Sequence, residues 1–190
     1  MAKLPRDVQM VLEKQAPKVL KTPFERAFKK SFLKIKGDMI KEFLTHPVTV
    51  EIMAGPNSSN ISGTLGGASN LFAFIGFESS DKPIESILQM LENMNYNYSG
   101  ESKIGVKYYV NIPEAADIFQ MTPMPWASGR SWAKGIETGI SGLGYLLKKK
   151  KGRSGEAIQT KTKVRSGGFQ NTTYISALIN KYKKQFDNIK

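Results

Sequence analysis

The chain contains no cysteine. That excludes disulfides, thiolate zinc sites and cysteine nucleophiles together, and it fits an intracellular origin. A single histidine, His46, leaves no imidazole cluster from which a metal centre or a relay could be built. No stretch approaches the ~18 unbroken apolar residues of a membrane span. The first residues lack the apolar run of a secretory signal. No Gly-Lys-Ser/Thr ending and no Gly-x-Gly-x-x-Gly phrase is present, so the glycines near residue 65 do not spell a phosphate cradle. No carboxylate pair stands out at a strand end. These absences point away from catalysis, and they assign no catalytic, cofactor-binding or metal-binding residue.

What the chain has is length enough for one domain, a mean hydropathy of −0.33, and a positive charge of +12. The charge is unevenly spread. Residues 1–44 hold 11 basic against 5 acidic side chains, residues 45–129 hold 3 against 8, and residues 130–190 hold 14 against 3. Net values of +6, −5 and +11 put two basic ends around an acidic middle, which suits a polyanionic partner or subunits docking basic face to acidic face.

The organising stretch is Thr22 to Gly55. Thr22-Pro23-Phe24-Glu25 has the form of a capped helix start. Phe24, Phe28, Phe32, Ile35, Met39 and Phe43 then recur at helical steps, with Lys29, Lys30, Lys34, Lys36 and Lys41 falling mostly elsewhere. Pro47 ends this helix near Leu44. Val48, Val50 and Ile52 alternate with polar neighbours and predict a half-buried strand. Residues 1–21 predict a separate N-terminal helical arm, with its helix over 5–21, and residues 22–190 a single domain.

Gly55 to Asn70 reads as a long turn-rich loop, functional or partner-contacting. Leu71 to Phe77, uniformly apolar, predicts a buried strand or an interface plug. A helix opens at Asp81 and Pro83 and carries Ile84, Ile87, Leu88 and Leu91. Asn93 to Ser102 reads as a polar connection, and Val106 to Ile112 as a strand stopped by Pro113. Residues 114–120 predict one or two helical turns. Met121 to Trp132 is irregular, and Ser131 to Leu147 predicts a glycine-rich helix. Ala157 to Val164 alternates like a strand. Thr172 or Thr173 caps a last helix carrying Tyr174, Ile175, Leu178, Ile179, Tyr182 and Phe186. The expected fold class is α+β: a small, mainly antiparallel sheet packed by a long N-terminal amphipathic helix and a C-terminal helix, with long loops.

Several phrases carry a likeness to a known family. They are His46-Pro47-Val48-Thr49-Val50-Glu51-Ile52, Ser62-Gly63-Thr64-Leu65-Gly66-Gly67 and Asn70-Leu71-Phe72-Ala73-Phe74-Ile75-Gly76-Phe77. With Gly139-Ile140-Ser141-Gly142-Leu143-Gly144, Arg153-Ser154-Gly155 and Tyr174-Ile175, the chain resembles minor tail and tail-completion (neck) proteins of tailed bacteriophages. The resemblance implies a non-enzymatic virion component, assembled in the host cytoplasm as a sixfold or twelvefold homo-oligomeric ring at the head–tail joint. Its implied partners are head-connector and tail-tube or tail-terminator proteins, with DNA in the lumen as a further one and no membrane. Leu65, Leu71, Phe72, Phe74, Trp126 and Trp132 are the large apolar candidates for subunit interfaces.

The alternative is a non-specific nucleic-acid-binding module. Lys148, Lys149, Lys150, Lys151, Arg153, Lys161, Lys163 and Arg165, with Tyr145 and Phe169 nearby, form the basic segment such a module uses. The same segment could meet the acidic middle of an adjacent subunit.

Overall fold

The computed structural model describes residues 5–65, 70–102, 105–139 and 172–189; for residues 12, 13, 16–21, 102 and 105 it describes the backbone alone. The fold class is α+β, with the long amphipathic helix present. The predicted single sheet is instead two separate antiparallel ribbons of two strands each among the described residues.

Helix α1 runs unbroken from Arg6 to Thr45, so the expected arm and the expected core helix are one element. A proline inside a helix costs one hydrogen bond and roughly 3 kcal/mol. Two prolines, Pro17 and Pro23, lie inside α1, and the helix runs through both. α1 ends at His46, whose extended backbone is what the following Pro47 demands.

The strand expected from Val48 is a helix, α2 (Pro47–Met53). His46 caps it, its Nδ1 accepting from the Val48 N–H at 3.3 Å, and Pro47 occupies the first turn, where no N–H is needed. Val48, Thr49, Glu51 and Ile52 are buried while Val50 and Met53 are exposed. That is helical spacing, which six residues of β-branched alternation had disguised.

The second expected strand is also a helix. α3 (Leu71–Ile75) has five residues and depends on both of its caps. Asn70 Oδ1 accepts from the Ala73 N–H at 2.9 Å. At the other end Gly76 adopts φ 92°, and the Phe77 N–H reaches Phe72 O at 3.2 Å in a Schellman closure.

α4 (Pro83–Glu92) agrees with the sequence, burying Ile84, Ile87 and Leu91. β1 (Asn95–Ser102) replaces the expected polar connection and pairs antiparallel with β2 (Gly105–Asn111), setting Tyr98 opposite Tyr108 and Tyr96 opposite Val110. β1 escaped detection because its alternate positions are Asn95, Asn97, Ser99 and Glu101, the wet side of a ribbon. A bulge follows Tyr98, where Gly100 takes φ 132°.

α5 (Ala115–Gln120), β3 (Pro123–Met124), β4 (Ala127–Ser131), α6 (Trp132–Thr138), α7 (Ile175–Asp187) and a single 3-10 turn at Gly55–Asn57 complete the described elements. The N-cap of α7 is Tyr174, with no side-chain cap hydrogen bond, so neither Thr172 nor Thr173 caps this helix as the sequence suggested. α6 ends at Thr138, with Gly139 at φ 99°, so the helix expected from Ser131 to Leu147 stops there; residues 140–147 and the expected strand at 157–164 lie outside the described residues.

The core joins these elements around α1. Met39 and Phe43 are fully buried with Ile52, Leu71, Ile87, Trp132 and Ile175, and Phe32 is nearly so. Phe28 and Ile35 are half-buried. Phe28 stacks on Tyr108 with ring centroids 4.5 Å apart, and Phe32 meets Tyr96 edge-on at 5.0 Å and Phe186 at 5.6 Å. The phenylalanine face of α1 is thus covered by the β1–β2 ribbon and α7, not by a sheet beginning at Val48.

Candidate assembly surface

Internal carboxyl groups decide which surfaces remain free. Glu51 is fully buried, and its two oxygens accept from the Ser62 N–H and the Leu71 N–H, each at 2.6 Å. Asn70 adds bonds from its Nδ2 to Pro56 O at 2.7 Å and Ser58 O at 2.9 Å. The described part of the 55–70 loop is therefore anchored by its own chain, where the sequence suggested a partner. No spacing marks Glu51 as special; in a strand it would have pointed outward.

Two further carboxyl groups clamp α7. Glu137 accepts from the Ser176 N–H at 2.7 Å and the Ser176 hydroxyl at 2.6 Å, satisfying the first turn of that helix from outside it. Glu42 on α1 accepts from Lys181 Nζ at 2.6 Å and from the Tyr182 hydroxyl at 2.7 Å. These two donors hold the Glu42 carboxyl below its ordinary value, while burial and the Glu42 bond push the Tyr182 phenol upward. Tyr174, fully buried, shares a 2.8 Å hydrogen bond with Thr49, and burial pushes its phenol upward too. His46 lies 4.9 Å from the Tyr174 ring, and desolvation lowers its pKa against the opposing pull of the Thr173 backbone and Glu42. His46 is thus a structural hydrogen bonder, as its corner position suggested.

The six apolar interface candidates are placed as follows. Leu65, Leu71, Phe72 and Trp132 are buried in the core of their own chain. Phe74 and Trp126 are half-buried against it, and Trp126 Nε1 donates to Ile75 O at 2.7 Å. All six help to close this subunit on itself. The basic candidates Lys148–Lys151, Arg153, Lys161, Lys163 and Arg165 lie outside the described residues.

Among the described side chains, those of the N-terminal half of α1 stay uncovered. Every described side chain from Arg6 to Ala27 is exposed, and α1 first enters the core at Phe28 and Phe32. At ~1.5 Å per residue this half is roughly 33 Å long. Met10 is 67% exposed and Val11 53%, with Val8 and Phe24 also open. At its root lies a groove of about 800 Å³, with Phe24, Phe28, Tyr108, Ile112, Ile179 and Phe186 among its apolar lining. Lys107, Glu114, Lys183 and Asp187 also line it, and the buried Tyr108 hydroxyl has no hydrogen-bond partner among the described residues.

Among the described residues no group of three or more His, Asp or Glu side chains could hold a metal ion. No described helix is long and apolar enough to cross a membrane. Comparison with family models, with curated proteins and with solved structures finds no match to this chain.

Proposed function

We propose that this protein is a structural subunit that works by self-assembly, and specifically a tail-completion or neck ring component at the head–tail joint of a tailed bacteriophage virion. The phage assignment rests on the phrases from His46 to Phe77 and their later companions. The observation that carries the assembly reading is the N-terminal half of α1: a helical extension whose described apolar side chains, Val8, Met10, Val11 and Phe24, are open. Continuity of the helix makes this extension a lever fixed to the core through Phe28 and Phe32. A neighbour that covers it is held at a defined angle, which is what a closed ring requires.

Sedimentation of the full chain over a concentration series tests this reading. The unmodified protein should form a discrete species many subunits in size. Met10→Glu with Val11→Glu should leave subunits that are folded by circular dichroism but dissociated. An unmodified protein that remains monomeric at high concentration, or a double variant that assembles normally, would overturn it.

A further inference from the structure

The outward face of α1 is not a random solvated surface. At ~100° per residue, Arg26, Lys29, Lys30, Leu33, Lys34 and Lys41 fall within about 140° of the helix circumference, opposite the buried Phe32 and Met39. All six are exposed. None of the five cations makes an ion pair among the described residues. The acidic residues of this stretch, Glu25, Asp38 and Glu42, lie on the flank, and Glu42 is already engaged by Lys181 and Tyr182. Gly37 sits in the middle of the stripe, and a side-chain carbon placed there would meet nothing within 4 Å. The face is open to solvent around Gly37 and runs about 22 Å from Arg26 to Lys41, interrupted by Ile40, which falls in the same arc and is half-buried against the core.

We infer that this stripe is a sequence-independent contact for the phosphate backbone of a nucleic acid duplex. Lysines dominate it, and lysine is depleted in the cores of protein–protein interfaces, where a strongly hydrated ammonium must be desolvated. Against phosphates the same hydration is no obstacle, because binding is driven by release of condensed counterions. A stretch of duplex about 22 Å long carries roughly thirteen phosphates over its two strands, more than the five cations can neutralise. Ile40 shares the arc but is half-buried against the core, which leaves Leu33 as the one exposed apolar member, too little to insert into a lipid surface. Nothing in it offers the fork of donors that reads a base edge, apart from Arg26 at one end. This contact is separate from the apolar half of α1 and does not depend on assembly.

The test uses the full chain and a labelled duplex of arbitrary sequence, titrated between 50 and 200 mM salt. Affinity should fall linearly in log salt and be equal for two unrelated sequences. Changing Lys29, Lys30, Lys34 and Lys41 together to glutamine keeps helix propensity and should weaken binding at least tenfold. It should also remove about 3.6 from the slope, so that roughly a hundredfold of the salt sensitivity over that range disappears. Gly37→Glu, which adds an anion in open space, should weaken binding in the same direction. A parallel quadruple glutamine variant at Lys148–Lys151 locates the contact. If only that variant loses affinity, or if the α1 variants bind with unchanged affinity and slope, the inference fails. It also fails if the α1 variants change the oligomer size while duplex affinity stays constant, because the stripe then serves a protein neighbour.

Discussion

Glu51 shows how much one side chain can determine. Its carboxyl group accepts from two amides separated in sequence, those of Ser62 and Leu71, and so joins α2, the 55–65 loop and the start of α3 at one buried point. Removing it orphans two donors, each costing ~1–3 kcal/mol when left unsatisfied. Glu51→Ala should therefore lower unfolding free energy by about 3 kcal/mol in a urea titration. Hydrogen exchange at the Ser62 and Leu71 amides should accelerate by more than that at Met39 or Ile87, because the loop is released locally before the core opens. Glu51→Gln, which retains one acceptor, should fall between the two. A loop that stayed equally protected in Glu51→Ala would mean that the Asn70 bonds alone hold it.

At the scale of elements, α1 serves two environments with one backbone. Its second half is stabilised by packing of Phe32, Met39 and Phe43, and its first half depends on helix propensity and on whatever covers it. Gly37 interrupts the propensity without serving the packing, since its side-chain direction is empty. Alanine there should stabilise the protein by about 0.5–1 kcal/mol and raise the melting temperature accordingly. A loss of stability would show that the face around Gly37 is covered in the folded protein. Short elements behave differently. α3 has only five residues, too few to persist by propensity, and exists because Asn70 and Gly76 close its two ends over a buried Leu71.

For the whole molecule, acid should act in two stages. His46 packs at the junction of α1, α2 and the lead into α7, and desolvation depresses its pKa below the ordinary 6.5. The folded state then binds this proton less readily than the unfolded chain does. Its stabilising contribution is complete above pH 6.5 and is lost as pH falls from 6.5 through the lower folded value, at no more than about 1.4 kcal/mol per unit. The Glu42 carboxyl is also depressed, by its bonds from Lys181 and Tyr182, so its contribution is complete above pH 4.5 and is lost on further acidification. Urea midpoints measured from pH 8 to 3 should show both declines. His46→Asn preserves a capping side chain for α2 and should flatten the first while leaving the second. A first decline of unchanged slope in that variant would assign it to another group.

Periodicity in the sequence determined the long helix from Phe24 to Phe43, α4, the strand from Val106 and α7, because each buries a regular face and regular burial requires regular spacing. Composition determined the absence of cysteine chemistry and the basic excess. Tertiary structure alone decided that residues 48–53 and 71–75 are helices. Residues 48–53 alternate like a strand and residues 71–75 are uniformly apolar, so period misleads in one and is silent in the other, and the deciding terms were the caps at His46, Asn70 and Gly76 together with the buried carboxyl of Glu51. Tertiary structure alone also decided which apolar residues were free. Leu65, Leu71, Phe72 and Trp132 are as hydrophobic as any interface, but the fold encloses them, while Met10 and Val11 stay open because α1 outruns its own domain. Hydrophobicity resides in each residue, whereas enclosure depends on residues far away in the chain.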